Sequence, residues 1–235
     1  MIFYKVNLFF SEKNIYNILN GGSRWLYFTL YGSNKFIDIK DSKNIQNDTI
    51  YLNITNRCHC SCTFCIRENI NEGNNLWLEK EPTLEQIINE FENININSCK
   101  EIVFCGFGEP LERADIVMQV SKYLKKQNPN IKIRLNTNGL GNLINNKDIT
   151  PMLNGLIDVI SISLNASSEE KYLELTKSNF GIKSFDEVLK FIEKCKQHVP
   201  SIVLTVVDVI DEEEIHKCEK ICAAFSVPLR IRHKI

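Results

Sequence analysis

The feature that most constrains the fold is the alternation of short apolar runs with amphipathic helical segments from about residue 50 onward. This alternation predicts repeated βα units and a parallel sheet, because each helix returns the chain to the end of the sheet where the next strand begins. The six predicted strands are Thr49 to Thr55, Glu101 to Cys105, Ile131 to Asn136, Leu156 to Leu164, Ile202 to Val207 and Pro228 to Arg232. Six units predict an α/β fold, an incomplete (β/α)6 barrel over residues 49–235.

Helix starts between these strands carry a polar pair at the spacing of reciprocal N-terminal capping. The pairs are Thr83 with Gln86, Ser167 with Glu170, Ser184 with Glu187, and Asp211 with Glu214. The stretch from Ala114 to Lys126 also has its apolar residues at helical spacing. We therefore expect a helix to cover the sheet after most strands.

Residues 1–48 lack the alternation of strand-like and helical segments and consist of aromatic-rich pieces separated by glycines. We expect a short N-terminal appendage here, a hairpin or a small cap. It would shield a barrel edge or bind a partner.

Composition limits the classes of partner. The 28 basic and 29 acidic residues give a formal charge of -1, which does not favour binding to nucleic acid or to anionic lipid through a strong field. The chain has no signal-peptide pattern and no run of 18 apolar residues, so we expect a cytoplasmic protein without a membrane span. In that reducing compartment its nine cysteines are metal ligands or core residues rather than disulfide partners.

Three cysteines follow the first predicted strand closely. Cys58, Cys62 and Cys65 are separated by three and then two residues, so one loop can bring three thiolates to one metal centre. Soft thiolates favour an iron–sulfur cluster or zinc, and in barrels of this kind active sites lie at the C-terminal ends of the strands. A zinc site completed by His59 or Cys60 is the alternative.

Polar groups follow the other strands too. The second strand leads into Gly106, Gly108 and Glu109, where glycines allow close backbone approach to a ligand and the carboxylate can accept bonds from an ammonium group. The remaining strand ends carry Asn136 to Gly139, Ser163, Asn165, Asp208, Arg230 and Arg232. Each Asn, Ser or Asp alone could be a turn or cap residue, and Asp211 is a better cap than Asp208. Their agreement across the strand ends favours a polar ligand.

Two motifs together resemble the radical S-adenosylmethionine (SAM) superfamily: Cys58-x3-Cys62-x-Phe64-Cys65, and Gly106-x-Gly108-Glu109-Pro110. The resemblance covers roughly residues 50–235 and implies a partial TIM-like barrel, the radical SAM core. Further segments resemble the TatD-associated radical SAM proteins, namely residues 51–57, 65–67, 76–78, 134–140 and 161–165.

The resemblance implies a [4Fe-4S] cluster on Cys58, Cys62 and Cys65, with one iron left open for the amino and carboxylate groups of SAM. Reductive cleavage of SAM would yield a 5'-deoxyadenosyl radical. By similarity, Gly106, Gly108 and Glu109 meet the methionine amino group and Phe64 lies near adenine. Similarity also places Asn136, Ser163 and Asn165 near the ribose or carboxylate. The expected partners are SAM, an electron donor such as flavodoxin or ferredoxin, and a functionally linked TatD-like hydrolase.

The remaining cysteines raise the question of an auxiliary cluster. Cys218 and Cys222 fall on one helical face and are expected in the core, as are Cys99, Cys105 and Cys195. Cys60 is expected to be a bystander in the cluster loop. His198 and His216 are expected at the surface, whereas His233 follows the last strand and could face the site.

The sequence thus predicts an enzyme that performs radical chemistry, without naming its substrate. A small molecule, a peptide or a nucleic-acid component would each suit an open barrel. One variant is an activase that abstracts hydrogen from a glycine of a partner protein. The competing class is a non-catalytic module in which zinc holds the cysteine loop.

Overall fold

The computed structural model describes residues 49–69, 77–92 and 94–234, together with the backbone of residues 28–30 and 35–37. Its centre is a six-stranded, all-parallel sheet in the order β3-β4-β5-β6-β7-β8. The strands are β3 Thr49–Leu52, β4 Glu101–Phe104, β5 Ile133–Thr137, β6 Val159–Ser163, β7 Ser201–Val207 and β8 Leu229–Arg232. Sequential order and parallel pairing make this an open (β/α)6 barrel, which confirms the predicted fold class.

All six predicted strands are present, but several are shorter than the apolar runs suggest. β3 ends at Leu52 although its run continues to Thr55, because residues 53–55 already turn toward the cysteine loop. β6 begins at Val159 rather than Leu156, since the residues before it close a turn in which Leu156 N and Ile157 N both donate to Leu153 O.

The helices lie on one side of the sheet. They are α1 Leu84–Glu92, α2 Ala114–Gln127, α3 Gly141–Ile144, α4 Glu169–Thr176, α5 Ser184–Cys195 and α6 Glu212–Phe225. Short 3-10 turns span Ile66–Asn69, Ile96–Ser98, Pro110–Arg113 and Thr150–Leu153. The helix predicted from Ala114 to Lys126 is confirmed as α2.

Alternate residues of each strand form the core with these helices. Ile102 and Phe104 on β4, Leu135 on β5, and Ile160 and Ile162 on β6 are fully buried in one apolar cluster. Because successive strand residues point to opposite faces, the residues between them line the concave face. That face carries Arg134 and Asn136 on β5 and Ser161 on β6, so the sheet has one apolar and one polar side.

Of the four predicted capping pairs, one is confirmed, two are wrong and one is half right. Thr83 and Gln86 exchange hydrogen bonds as predicted. Ser168 rather than Ser167 caps α4, where its side chain accepts from Lys171 N. Ser184 lies inside α5 and donates its hydroxyl to Gly181 O instead of capping.

The fourth pair is half right. Asp211 caps α6 by accepting from Glu214 N at 2.8 Å. The Glu214 carboxylate does not return the bond, because it accepts from Ser167 N and from Lys171 Nζ instead.

Most of the predicted N-terminal appendage lies outside the described residues. Within it, β1 Phe28–Leu30 pairs antiparallel with β2 Lys35–Ile37, which agrees with a hairpin in that part. β1 lies against β3, the first strand of the main sheet. The boundary at residue 48 and the role of residues 1–48 stay predictions.

Among the described residues no helix has the length and apolarity needed to cross a membrane.

Candidate active site

The cysteine loop leaves the C-terminal end of β3 and docks on the far side of the barrel opening. Ser61 N donates to Thr176 O and Thr63 N to Leu175 O, each at 2.9 Å, and Asn179 N donates to His59 O at 2.8 Å. The loop is therefore attached to the end of α4 and the turn after it. These backbone bonds fix the position of the loop that carries the three predicted cluster ligands.

Cys60 determines the electrostatics of two of these ligands. Its thiol hydrogen-bonds with Cys58, and together with the Cys60 backbone N–H this lowers the pKa of the Cys58 thiol to about 6. A bond from the same thiol lowers the pKa of Cys62, while the Cys60 pKa is raised by both contacts. Cys60 is buried, whereas Cys58, Cys62 and Cys65 are half-buried. The predicted ligands Cys58 and Cys62 are thus biased toward the thiolates that bind metal.

Arg67 adds positive charge beside the cysteines. Its guanidinium donates to Asn56 O at 3.0 Å and bonds to Cys65, and its charge favours the thiolates of Cys58 and Cys62. In the sequence Arg67 is only the last residue of the segment 65–67, and no role was predicted for it. Arg67 thus interacts electrostatically with all three predicted ligands, Cys65, Cys58 and Cys62.

The glycine loop after β4 packs directly on the cysteine segment. A Cβ added to Gly106 would lie 2.1 Å from Asn53 Oδ1, and one at Gly108 would lie 2.3 Å from Thr55 O and 2.7 Å from Arg57 O. Glu109 N donates to Arg57 O at 2.8 Å. The close approach that these glycines permit is therefore an approach to the chain's own cysteine segment, in addition to the ligand contact predicted for them.

Glu109 is the buried acid of the site. Its carboxylate accepts from Thr137 Oγ1 and Asn138 N at 2.7 Å each and from Leu111 N at 3.0 Å. Burial, and next the nearby Cys58 thiolate, raises the pKa of Glu109 to about 8 against these bonds. A carboxylate has about four acceptor positions, so three internal bonds leave room for one more donor.

Asn138 connects the acid to the cysteines. Its backbone N–H binds Glu109, while its side-chain amide lies 3.9 Å from Cys58 Sγ and 3.8 Å from Cys60 Sγ. The ends of β3, β4 and β5 are thus joined at one place. Sequence reasoning placed Asn138 at a strand end but did not single it out.

Asn136, Ser163 and Asn165 lie at the same edge of the sheet, on β5 and just after or at the end of β6. The buried Oδ1 atoms of Asn136 and Asn165 have no hydrogen-bond partner in the described part of the chain. Asn165 takes a positive φ of 61° as the chain leaves β6. Buried amide oxygens without a partner are costly, and they suit a polar ligand. Phe64 is half-buried in the turn between Cys62 and Cys65.

Several residues that were ambiguous in sequence now have positions. Asp208 does not cap a helix, since its carboxylate binds His233 Nδ1 and Lys234 N at the ends of β7 and β8. Cys195, Cys218 and Cys222 are buried in the apolar core as predicted, and Cys99 packs half-buried against it. Cys105, also expected in the core, is half-buried just after β4 and is not part of the apolar cluster; desolvation raises its pKa to about 12.

The contacts of His59, next to the cysteines, could not be predicted from the sequence. His59 binds the Glu112 carboxylate through Nδ1 and stacks on Phe180 with ring centroids 4.9 Å apart. These partners are far from His59 in the chain, so only the fold brings them together. In this arrangement the Nδ1 atom of His59 is bound to Glu112.

The donor set fits an iron–sulfur cluster. Within residues 49–69, 77–92 and 94–234, no three His, Cys, Asp or Glu side chains converge on a point where one metal ion would bind. A four-iron cube is held differently, because each cysteine thiolate binds a separate iron. The donor set offers three soft ligands, and the pKa is lowered for the thiols of Cys58 and Cys62. The cation Arg67 beside them and the buried amide oxygens of Asn136 and Asn165, which have no partner in the described part of the chain, agree with a cluster and a polar cofactor.

Fold and site together define a class, the open βα barrels that carry a cysteine loop at the C-terminal edge of their first strand. The chain belongs to the radical SAM superfamily, whose sequence profile matches residues 52–222. Membership implies a [4Fe-4S] cluster, SAM as cofactor and a reductant.

Curated relatives are similar over most of this chain. A GTP 3',8-cyclase of Clostridium perfringens (strain SM101 / Type A) is 28% identical over 194 residues, which cover 83% of this chain and 57% of the cyclase. A candidate glycyl-radical enzyme activating enzyme of Methanocaldococcus jannaschii is 28% identical over 182 residues, covering 72% of this chain and 68% of that protein. The chain therefore spans little more than half the length of the cyclase relatives.

The fold is also similar to a solved structure. The crystal structure of methylornithine synthase superposes with a TM-score of 0.54 at 13% sequence identity, covering 84% of this chain and 56% of the synthase. At this identity the likeness supports the fold alone, and it agrees with the partial barrel predicted from the strand pattern.

Proposed function

We propose that this protein is a radical SAM enzyme in which Cys58, Cys62 and Cys65 hold the [4Fe-4S] cluster. Glu109, with the backbone of Gly106 and Gly108, receives the methionine amino group of SAM. Phe64 lies against the adenine, and Asn136, Ser163 and Asn165 bind the ribose or the carboxylate. When bound, the cluster supplies the electron that cleaves SAM to the radical that abstracts hydrogen.

One observation carries this proposal above the others: Asn138 joins Glu109 to the cysteine loop. Its backbone N–H is 2.7 Å from Glu109 Oε2 and its amide reaches Cys58 Sγ at 3.9 Å. A positively charged amino group bound at Glu109 would therefore lie beside the loop that holds the cluster. A purely structural metal loop would not need a buried, incompletely saturated carboxylate next to it.

The residues around the site position and protect the cofactor rather than transfer protons. Glu109 has a raised pKa of about 8 and one free acceptor position, and an arriving ammonium group would favour its ionised form. The bonds from the cysteine loop to α4 hold the loop against movement. Since a carbon radical reacts with almost any donor, exclusion of water and stray hydrogen donors is the main task left to the protein.

Activation of a partner protein is the second candidate function. It is favoured by the match to the archaeal activating enzyme, of which this chain covers 68%. The relatives named as GTP 3',8-cyclases favour a small-molecule substrate instead. Reduction by flavodoxin or ferredoxin, an anaerobic and cytoplasmic setting, a functional link to a TatD-like hydrolase and membership of the TatD-associated group also remain part of this proposal.

The test is anaerobic reconstitution with iron and sulfide, followed by dithionite and SAM. We expect absorption near about 400 nm that bleaches on reduction, and release of 5'-deoxyadenosine detected by mass spectrometry. Cys62→Ala should abolish both, because it removes one of three ligands. Cys218→Ala is the matched control, since Cys218 is buried in the core and should leave iron content unchanged.

Two results would contradict the proposal. Iron loss in Cys218→Ala equal to that in Cys62→Ala would place a second cluster on the core cysteines. A colourless protein that binds zinc in a manner dependent on Cys58, Cys62 and Cys65 would support the non-catalytic module.

A further inference from the structure

The concave face of the sheet carries three arginines below the cofactor end. Strand register places Arg230 of β8 beside Thr205 and Arg232 beside Val207, while Arg134 lies on β5. Leu229 pairs with Leu204 of the apolar core, so the alternation along the strand turns Arg230 and Arg232 toward the polar face, while Ile231 on this edge strand is 39% exposed. Arg230 Nη2 extends over the neighbouring strand β7 and donates to Ser161 Oγ on β6 at 3.2 Å.

These guanidinium groups are close to one another. Arg134 and Arg232 both act on the Cys105 thiol at the end of β4. Burial, and next the charge of Arg134, lowers the pKa of Arg230. Arg232 is exposed at the end of β8, and partial desolvation, followed by the charge of Arg230, lowers its pKa.

Negative charge on this face is scarce. Glu101 pairs with Arg134 at 2.9 Å and also lies 3.9 Å from Lys132. Within the described chain, no carboxylate forms an ion pair with Arg230 or Arg232. The buried Nε atoms of Arg134 and Arg230 have no hydrogen-bond partner there either. The three arginines thus share one paired carboxylate, Glu101, and this excess of positive charge costs free energy that a bound anion would relieve.

We propose that Arg230 and Arg232, supported by Arg134, bind the carboxylate or phosphate group of the molecule on which the enzyme acts. The guanidinium fork matches both groups through paired hydrogen bonds, which a lysine could not offer. This inference rests on the proposed function for the identity of the anion as a substrate, but the anion site itself does not depend on it.

The position of the arginines suits a substrate. Arg232 is the last residue of β8, so it lies at the carboxyl edge of the parallel sheet, the edge at which the cysteine loop leaves β3. Arg230 is two residues nearer the N-terminal end of β8 and therefore deeper. An anion held between them would leave the rest of the molecule pointing toward the cluster end, where hydrogen abstraction takes place.

Two other roles for the same arginines are conceivable in chemical terms. They could bind the carboxylate of SAM, or they could balance the negative charge of the cluster. The first role would make SAM affinity depend on Arg230 and Arg232. The second would make the reduction potential of the cluster depend on Arg232 while binding no added anion.

The experiment titrates two probes, inorganic phosphate and 13C-labelled succinate, into the reconstituted protein with and without SAM. Binding is followed by 31P and 13C line widths. We expect saturable binding of at least one probe, and the stronger one identifies phosphate or carboxylate as the substrate group. Arg230→Gln and Arg232→Gln should each weaken it about tenfold or more, as expected for loss of a charged hydrogen-bonding partner. Arg230→Lys should restore part of the binding.

Lys190→Gln is the matched control, because Lys190 is exposed on α5, outside the barrel. It should leave binding of both probes unchanged. Iron content and SAM affinity of Arg230→Gln and Arg232→Gln should stay within about twofold of the wild type, which also shows that these variants fold.

The proposal is overturned if neither probe binds saturably, or if Lys190→Gln weakens binding as much as the arginine variants. It is also overturned if the arginine variants lose SAM affinity, or if Arg232→Gln shifts the cluster potential while anion binding is unchanged. Failure of the wild type to bind SAM or to release 5'-deoxyadenosine would instead contradict the proposed function. Normal SAM cleavage without anion binding would contradict this inference alone.

Discussion

Glu109 shows how much a single buried carboxyl can influence this fold. It is 4% exposed and accepts three hydrogen bonds from the ends of β4 and β5. Because burial outweighs these bonds, its pKa rises from 4.5 to about 8. Below pH 4.5 the carboxyl is protonated in both the folded and the unfolded chain. Between 4.5 and 8 only the unfolded chain ionises, so stability falls as the pH rises through this window.

Glu109→Gln should therefore flatten the pH dependence of the free energy of unfolding between pH 4.5 and 8. The change should be roughly 1.4 kcal/mol for each unit of pKa shift that the carboxyl carries. Urea unfolding of the protein before cluster reconstitution, at a series of pH values, measures it. Glu170→Gln, at an exposed position on α4, should keep the wild-type slope. An unchanged slope in Glu109→Gln would show that this carboxyl is ionised throughout.

Gly108 carries a second prediction at this scale. Gly108→Ala should lower the free energy of unfolding by about 1–3 kcal/mol, as overpacking does, and should reduce bound iron. The reason is that its Cβ would overlap Thr55 O and Arg57 O, displacing the segment that leads to Cys58. Urea unfolding and iron analysis after reconstitution measure both effects.

Gly155→Ala provides the control. Gly155 has a φ of 70°, and a Cβ there meets nothing within 4 Å. It should lose only the stability that backbone strain costs, about 1–3 kcal/mol, and should retain its iron. Full iron loading of Gly108→Ala would show that the cysteine segment tolerates displacement.

The residues that could be predicted are those whose chemistry is local. Cys58, Cys62 and Cys65 lie within eight residues, so their spacing alone indicates a shared metal centre. The link from Asn138 to both Glu109 and the cysteines could not be predicted, because it depends on how three strands are aligned. The stacking of His59 on Phe180 likewise joins distant parts of the chain.

At the scale of elements, α4 stands out because it supports the cysteine loop. Its last turn supplies the carbonyls of Leu175 and Thr176 to Thr63 N and Ser61 N. The helix is only eight residues long, and Ser168 caps its start. A short helix gains much of its stability from its ends and its packing. Loss of the cap at the start of α4 should therefore weaken the attachment of the cysteine loop to its last turn.

Ser168→Ala should lower the free energy of unfolding by about 1 kcal/mol, the usual cost of losing an N-cap. It should also speed the loss of iron to a chelator, since the end of α4 holds the loop. Ser201→Ala, at an exposed position that begins β7, should change neither quantity. Equal iron release in Ser168→Ala and the wild type would show that the loop is held independently of the start of α4.

The strands and helices could be predicted from the spacing of their apolar residues. The residue that caps a helix could not be predicted reliably where several polar residues are adjacent. All six strands and their parallel order follow from apolar runs separated by helices. Ser167 fits the capping spacing because Glu170 follows it by three residues, whereas Ser168 is followed by Lys171, yet Ser168 is the cap. The backbone N–H of Ser167 is bound by Glu214 on α6, 47 residues away, which the local capping rule cannot take into account.

At the scale of the whole molecule, the six parallel strands and their helices share one apolar cluster from β3 to α6. We therefore expect a single cooperative unfolding transition for this part of the chain. Leu135 is fully buried on a central strand, so Leu135→Ala tests this expectation. The substitution should lower the free energy of unfolding by about 2–5 kcal/mol. Circular dichroism in urea should show the whole transition moving to lower denaturant.

Met152→Ala is the control, because Met152 is 40% exposed and fills no core space. It should shift the midpoint far less. Two separate transitions in Leu135→Ala would show that the sheet divides into independently stable halves.

The open order of the sheet separates the site into two halves. The residues assigned to the cluster and to the amino group of SAM follow β3, β4 and β5, whereas the arginines assigned to the substrate anion include two on β8, at the opposite edge. Since β8 pairs only with β7 among the described strands, substitutions on it need not disturb the first half. If these assignments hold, sequence changes on the last strand would alter which molecule is bound and leave the half of the site that generates the radical intact.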